Sequence, residues 1–163
     1  LGLDPKTDLY DHVLVQGPLF HRIRRVFQLD DSRCLFEAEQ RPTEWVLGDP
    51  YFRDALLQSA QLSLTPDVCL PVRIDRWDSF PHGAVDAQVH VGLMEVRDRG
   101  ENSHNASVLA VAQRSTAPVE KLHGYQTVVL ARRHDLPNAG ELATRPPSKV
   151  QKEDNPFELV ARS

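Results

Sequence analysis

Asp54 and Gln58 stand four residues apart in a stretch that otherwise reads apolar. If that stretch is a helix, their side chains lie one turn apart on one face. A carboxyl withdrawn from water there would keep its proton to higher pH and could act as a general acid, with the amide orienting it or binding a substrate oxygen. The same spacing also fits the solvated side of an amphipathic helix, made of Arg53, Asp54, Gln58 and Gln61. Spacing alone leaves both readings open.

Other chemistries have little support. Of the seven histidines, His90 reads as sitting on the polar side of a strand, His104 in a turn, and His82 between Pro81 and Gly83, while His21 and His123 flank strands. No pair has the context of metal ligands, so no bound metal is expected. The phosphate-loop pattern Gly-x-x-x-x-Gly-Lys and the hydrolase pattern Gly-x-Ser-x-Gly are both absent. Cys34 and Cys69 are too few for a disulfide framework or a zinc site; in apolar surroundings they read as small buried hydrophobes, which fits a reducing compartment. Trp45 and Trp77 read as core anchors.

The element that must carry Asp54 is predicted as a helix over residues 50–64. Asp49 suits the N-cap, Pro50 suits the first helical position where its missing N–H costs nothing, and Pro66 stops the run. Phe52, Leu56 and Ala60 form an apolar line at spacing four, with Ala55, Leu57, Leu62 and Leu64 beside it. A helix that apolar belongs inside a core. Around it the chain reads as strands. Residues 24–29 and 33–37 are joined by the turn residues Asp30-Asp31-Ser32. Over 84–96, Val85, Ala87, Val89, Val91 and Leu93 alternate with Asp86, Gln88, His90, Gly92 and Met94, which predicts a half-buried strand with the second set facing water. Residues 105–113 and 124–133 are two more strands, the latter with Tyr125, Thr127, Val129 and Ala131 on one side. The expected fold class is α+β: a hot-dog, one antiparallel sheet wrapped round one long helix, with a plain α+β sandwich as the competing description.

The chain has 163 residues, the length of one domain or of one domain with a tail. At 40% hydrophobic and 26% charged residues, a wholly disordered or fibrous protein is excluded. No apolar run approaches the ~20 residues of a membrane span. Residues 1–10 hold no apolar signal segment, and the lack of an initial methionine suggests a piece of something larger. A net charge of −4 argues against a general nucleic-acid binder. The basic knot His21-Arg22-Ile23-Arg24-Arg25 reads as a solvated flank of a strand. From residue 136 onward prolines, glycine and charges replace the apolar periodicity, so 1–135 is expected to be the domain and 136–163 a linker or tail.

Three segments together resemble the C-terminal half of a polyketide synthase dehydratase domain, a double hot-dog. Gln16-Gly17-Pro18-Leu19-Phe20, preceded by Leu9-Tyr10, resembles the family's Gly-Pro-x-Phe segment. Asp49-Pro50-Tyr51-Phe52-Arg53-Asp54-Ala55-Leu56-Leu57-Gln58 is similar to its His-Pro-x-x-x-Asp-x-x-x-Gln helix, with Asp49 replacing the histidine as a cap. Leu70-Pro71-Val72-Arg73-Ile74-Asp75-Arg76-Trp77 looks like the strand after that helix. Order and spacing match over residues 9–135, and the subtype looks iterative, as in enediyne or polyunsaturated-chain synthases. The family's base lies in His-x-x-x-Gly-x-x-x-x-Pro, and none of the seven histidines here has glycine four residues on.

The resemblance implies water elimination from a β-hydroxyacyl chain carried on an acyl carrier protein. Asp54 would protonate the leaving hydroxyl and Gln58 would orient it, while a histidine on the N-terminal hot-dog half would remove the α-proton. Phe20, Pro18, Tyr51, Leu70, Pro71 and Val72 would line the acyl tunnel. No cofactor is implied beyond the phosphopantetheine on which the substrate arrives. The implied partners are that N-terminal half and the carrier protein, in a cytoplasmic synthase dimer, with neither nucleic acid nor membrane; the isolated chain would be inactive. Two alternatives stay open: an inactive dehydratase-like structural or carrier-docking domain, and a stand-alone hot-dog acyl-CoA thioesterase or hydratase. A non-catalytic fatty-acid-binding protein is a weaker one.

Overall fold

The structure, a computed structural model, describes residues 1–10, 12–80 and 88–146. Two strands, β1 (Ile23–Leu29) and β2 (Arg33–Gln40), form a hairpin. Its turn closes because Asp30 Oδ1 accepts from the backbone N–H groups of Ser32 and Arg33, both at 2.8 Å. Helix α1 spans Pro50–Leu64. After it come β3 (Asp67–Ser79), β4 (Gln88–Arg99), β5 (Ser103–Ala112), β6 (Pro118–Arg132) and a short helix, α2 (Ala139–Thr144). The strands form one antiparallel sheet in the order β1-β2-β4-β5-β6-β3. The chain therefore leaves β2, runs along α1 across one face of the sheet, and enters β3 at the far edge.

That route encloses α1. Phe52, Ala55, Leu56 and Leu62 are fully buried, and Ala60 nearly so, against Phe36, Met94, Val108 and Leu122 of the sheet. Burying a Leu- or Phe-sized side chain contributes about 1.5–3 kcal/mol each, so this contact dominates the core. Asp49 caps the helix as expected: its Oδ1 accepts from the N–H groups of Tyr51 (2.9 Å) and Phe52 (3.3 Å). Its Oδ2 accepts from the Arg41 N–H, tying the incoming loop to the cap. Gly92 lies opposite Phe36 in the β2–β4 register, and a Cβ there would overlap the Phe36 ring. Gly124, at φ +62°, stands where a Cβ would overlap the Asp75 carboxylate.

Several expectations need correction. Within 88–96 the alternation is real but faces the other way: His90, Gly92 and Met94 point into the core, while Val89 and Leu93 are 36% and 37% exposed. Residues 81–87, including His82 and the start of that expected strand, lie outside the described residues. His90 is buried because its Nε2 lies 2.8 Å from Gln40 Oε1 and its ring packs on Phe52 at 5.2 Å. His104 is not in a turn but begins the inward side of β5, buried, with Nε2 3.4 Å from Asp67 Oδ2. Trp45 is 64% exposed rather than a core anchor. Trp77 is half-buried, its indole N–H donating to Glu120 at 2.5 Å. Arg22, in the basic knot, is buried at 5% exposure, with its guanidinium 5.4 Å from the Tyr51 ring centre. Residues 139–144 of the expected tail belong to the body, because Ala139 and Leu142 of α2 are buried in the same core.

Two stability measurements check these points. Gly92→Ala should lower the urea unfolding free energy by about 2 kcal/mol, since the Phe36 ring has nowhere to retreat. Leu142→Ala should cost about 2–4 kcal/mol, as for a core leucine, where a linker residue would cost almost nothing.

Candidate active site

Asp54 and Gln58 meet inside the fold. Gln58 is 2% exposed and Asp54 is half-buried. Gln58 Nε2 donates to Asp54 Oδ2 at 2.6 Å and to the Phe20 backbone carbonyl at 3.2 Å. Of the four α1 residues that could have formed a solvated face, Gln58 is buried while Arg53, Asp54 and Gln61 are partly exposed, and each bonds a protein partner and does not project freely into solvent. Arg53 donates twice to the buried Glu120 at 3.1 Å, and Gln61 bonds the Asp67 carbonyl and the Cys69 N–H at the start of β3.

Removal from water pushes the Asp54 carboxyl above the usual carboxylate range, opposed by the hydrogen bond from Gln58. Asp54 therefore keeps its proton to higher pH than a solvated aspartate does, and its second oxygen, Oδ1, receives no hydrogen bond from the described residues. The arrangement can offer a proton from Oδ1 while Oδ2 is held.

Three groups beyond the expected pair build this site. Tyr10, 1% exposed, donates its hydroxyl proton to Gln58 Oε1 at 3.0 Å and accepts from the Ile23 N–H at 3.0 Å. Burial, assisted by the charge of Asp54, pushes its phenol up to about 12. His21 stacks on Tyr10 at 3.9 Å and its Nε2 donates to the Gln16 carbonyl at 2.9 Å. Tyr125, on the inward side of β6, is raised by burial and then by the charge of Asp54. Tyr125 was legible as one residue of an alternating face; Tyr10 stood in the Leu9-Tyr10 pair ahead of the Gly-Pro-x-Phe segment, but nothing local pointed to its hydroxyl, whose partners Ile23 and Gln58 are distant in sequence.

The expected tunnel residues divide. Phe20 ends the 3₁₀ turn Pro18–Phe20, gives its backbone carbonyl to Gln58, and meets Tyr51 of α1 edge-on at 5.0 Å. Pro18 starts that turn and is exposed. Leu70, Pro71 and Val72 lie exposed on the edge strand β3, with Leu70 at 50% and Val72 at 54%. Val72 borders a cavity of about 300 Å³ whose other walls include Asp98, His104, Asn105 and Gln126, none of them partners of Asp54. No cluster of three potential metal-binding side chains occurs among the described residues, and none of their helices is long and apolar enough to cross a membrane.

Residues 2–137 match the family model of the polyketide synthase dehydratase N-terminal domain. This chain belongs to that family. The match to the N-terminal domain does not carry the placement in the C-terminal half that the helix motif suggests. Among solved structures, this dehydratase-family chain is similar to a hypothetical thioesterase from Streptococcus pneumoniae TIGR4 crystallised with coenzyme A. The two share a TM-score of 0.53 and 12% identity over 67% of this chain and 87% of that one. The likeness confirms the hot-dog fold. No curated protein matches the sequence.

The raised Asp54 carboxyl sets a stability signature. Its folded pKa exceeds the unfolded value, so its contribution is intact below the unfolded pKa of about 3.9 and is lost as pH rises through the folded pKa. Asp54→Asn should match the parent in urea near pH 3 and become the more stable of the two as pH rises and Asp54 ionises. Superimposable curves from pH 3 to 9 would show a fully solvated carboxyl.

Proposed function

We propose that this chain supplies the general acid for water elimination from a β-hydroxyacyl chain delivered on an acyl carrier protein. The supporting observation is Asp54: half-buried, its pKa raised by burial, held through Oδ2 by Gln58, with Oδ1 receiving no hydrogen bond from the described residues. Hydroxide is a poor leaving group, so protonating the β-hydroxyl as its C–O bond breaks lowers the barrier. The electron pair comes from the α-carbon, whose proton a base removes; the thioester beside it makes an imidazole of near-neutral pKa adequate. Gln58 sets the direction of the carboxyl, and Phe20 with Tyr51 forms an aromatic wall against which the acyl chain packs.

The base is proposed to be a histidine of another hot-dog half, because no histidine of this chain has glycine four residues on, as the family's base motif requires. On that reading the chain is the acid half of a two-part site within a synthase, although the family match is to the N-terminal domain. The elimination needs no cofactor from this chain, and the carrier's phosphopantetheine arrives with the substrate.

In the complete synthase, Asp54→Asn should cut kcat for dehydration of a β-hydroxyacyl carrier substrate by at least about a hundredfold with KM little changed. The parent's kcat should fall as pH rises through the Asp54 pKa. Undiminished turnover in the variant would refute the assignment, as would acyl-CoA hydrolysis by the isolated chain.

A further inference from the structure

Gln58 has two ends, and only one orientation of its amide serves an acid. With Nε2 toward Asp54 the amide donates; reversed, Oε1 would face Asp54 and could accept the very proton that must reach substrate. Resting on the reading of Asp54 as the acid, we infer that Tyr10 is a positioning residue that fixes the Gln58 amide and so leaves Oδ1 of Asp54 as the oxygen that bears the transferable proton.

The polarity of the chain is set at its far end. The Ile23 backbone N–H can only donate, and it donates to the Tyr10 oxygen at 3.0 Å. The Tyr10 proton is then directed to Gln58 Oε1 at 3.0 Å, the Phe20 carbonyl being more distant at 3.4 Å. With Oε1 engaged, Nε2 must face the two acceptors on its side, the Phe20 carbonyl and Asp54 Oδ2. Oδ2 accepts at 2.6 Å, so a proton on Asp54 resides on Oδ1. Each donor also polarises the next, so the Tyr10 bond strengthens the Gln58 N–H as a donor. Stacking on His21 and near-complete burial hold the phenol ring in place. Among the described residues, the phenols of Tyr10 and Tyr125 are shifted by the charge of Asp54, and both stay neutral in the range where a carboxyl titrates.

The test is a carboxyl titration of the full chain by ¹³C NMR on aspartate-labelled protein, with Asp54 assigned by Asp54→Asn. Gln58 donation favours ionised Asp54, so Tyr10→Phe, which weakens that donation, should move the Asp54 midpoint upward by about half a unit to one unit. An unchanged or lowered midpoint in a folded variant overturns the inference. If Tyr10→Phe does not fold, the side-chain amide of Gln58 in the unmodified chain decides. A single orientation with exchange-protected Nε2 protons supports the inference, and two interconverting orientations overturn it. No substrate is involved, so failure here is distinct from failure of the dehydratase reading, which Asp54→Asn turnover in the synthase tests.

Discussion

Helix α1 keeps only a narrow, partly exposed stripe at Arg53, Asp54, Leu57 and Gln61, and nine of its fifteen residues are buried. The sheet encloses it, and a buried polar group without a partner costs about 1–3 kcal/mol. Every polar side chain on its middle turns must therefore be satisfied from inside the protein, and this requirement shapes the site. Arg53 finds Glu120, Gln61 finds the start of β3, and Gln58 finds Tyr10, Phe20 and Asp54. Among the described residues Asp54 is the member whose needs are only half met, with Oδ2 bonded and Oδ1 without a partner. A group in that condition holds a proton readily and has somewhere to send it.

The supporting structure serves the same end. The Gly92 opening beneath Phe36 lets the sheet close on the helix, and Asp49 anchors both the helix start and the loop before it. The 3₁₀ turn Pro18–Phe20 brings a carbonyl to the Gln58 amide, and the segment ahead of β1 brings in the Tyr10 hydroxyl. The site draws on the N-terminal segment, α1 and β6, so it exists only once the sheet is complete. Arg53 and Glu120, joined across 67 residues and flanked by the Trp77 indole, fasten the first turn of the helix to β6.

Much was legible without coordinates. The helix bounds, its cap and its stop follow from Asp49, Pro50 and Pro66, because a terminus is set by a few neighbouring backbone groups. The Asp30-Asp31-Ser32 turn is equally local. Strand periodicity was visible, but its direction was not: His90 and Met94 face the core while Val89 and Leu93 face out. Alternation states that two faces differ, and which one meets the helix depends on packing against Phe52 and Phe36. His104 read as a turn residue and Arg22 as solvated for a related reason, since the groups they meet when buried come from β3 and from the Tyr51 ring.

By itself the sequence determined the local matters: one apolar helix carrying an Asp-x-x-x-Gln pair, its cap, the hairpin turn, and an antiparallel class of fold. Those depend on interactions within a few residues, which residue order encodes directly. Only the tertiary structure decided that Asp54 is partly desolvated, that Gln58 is oriented by Tyr10, that α2 completes the core, and that Leu70 to Val72 lie apart on the edge strand. Each of those depends on groups 30 or more residues apart in the chain meeting within a few ångströms, and such meetings are a property of the closed sheet.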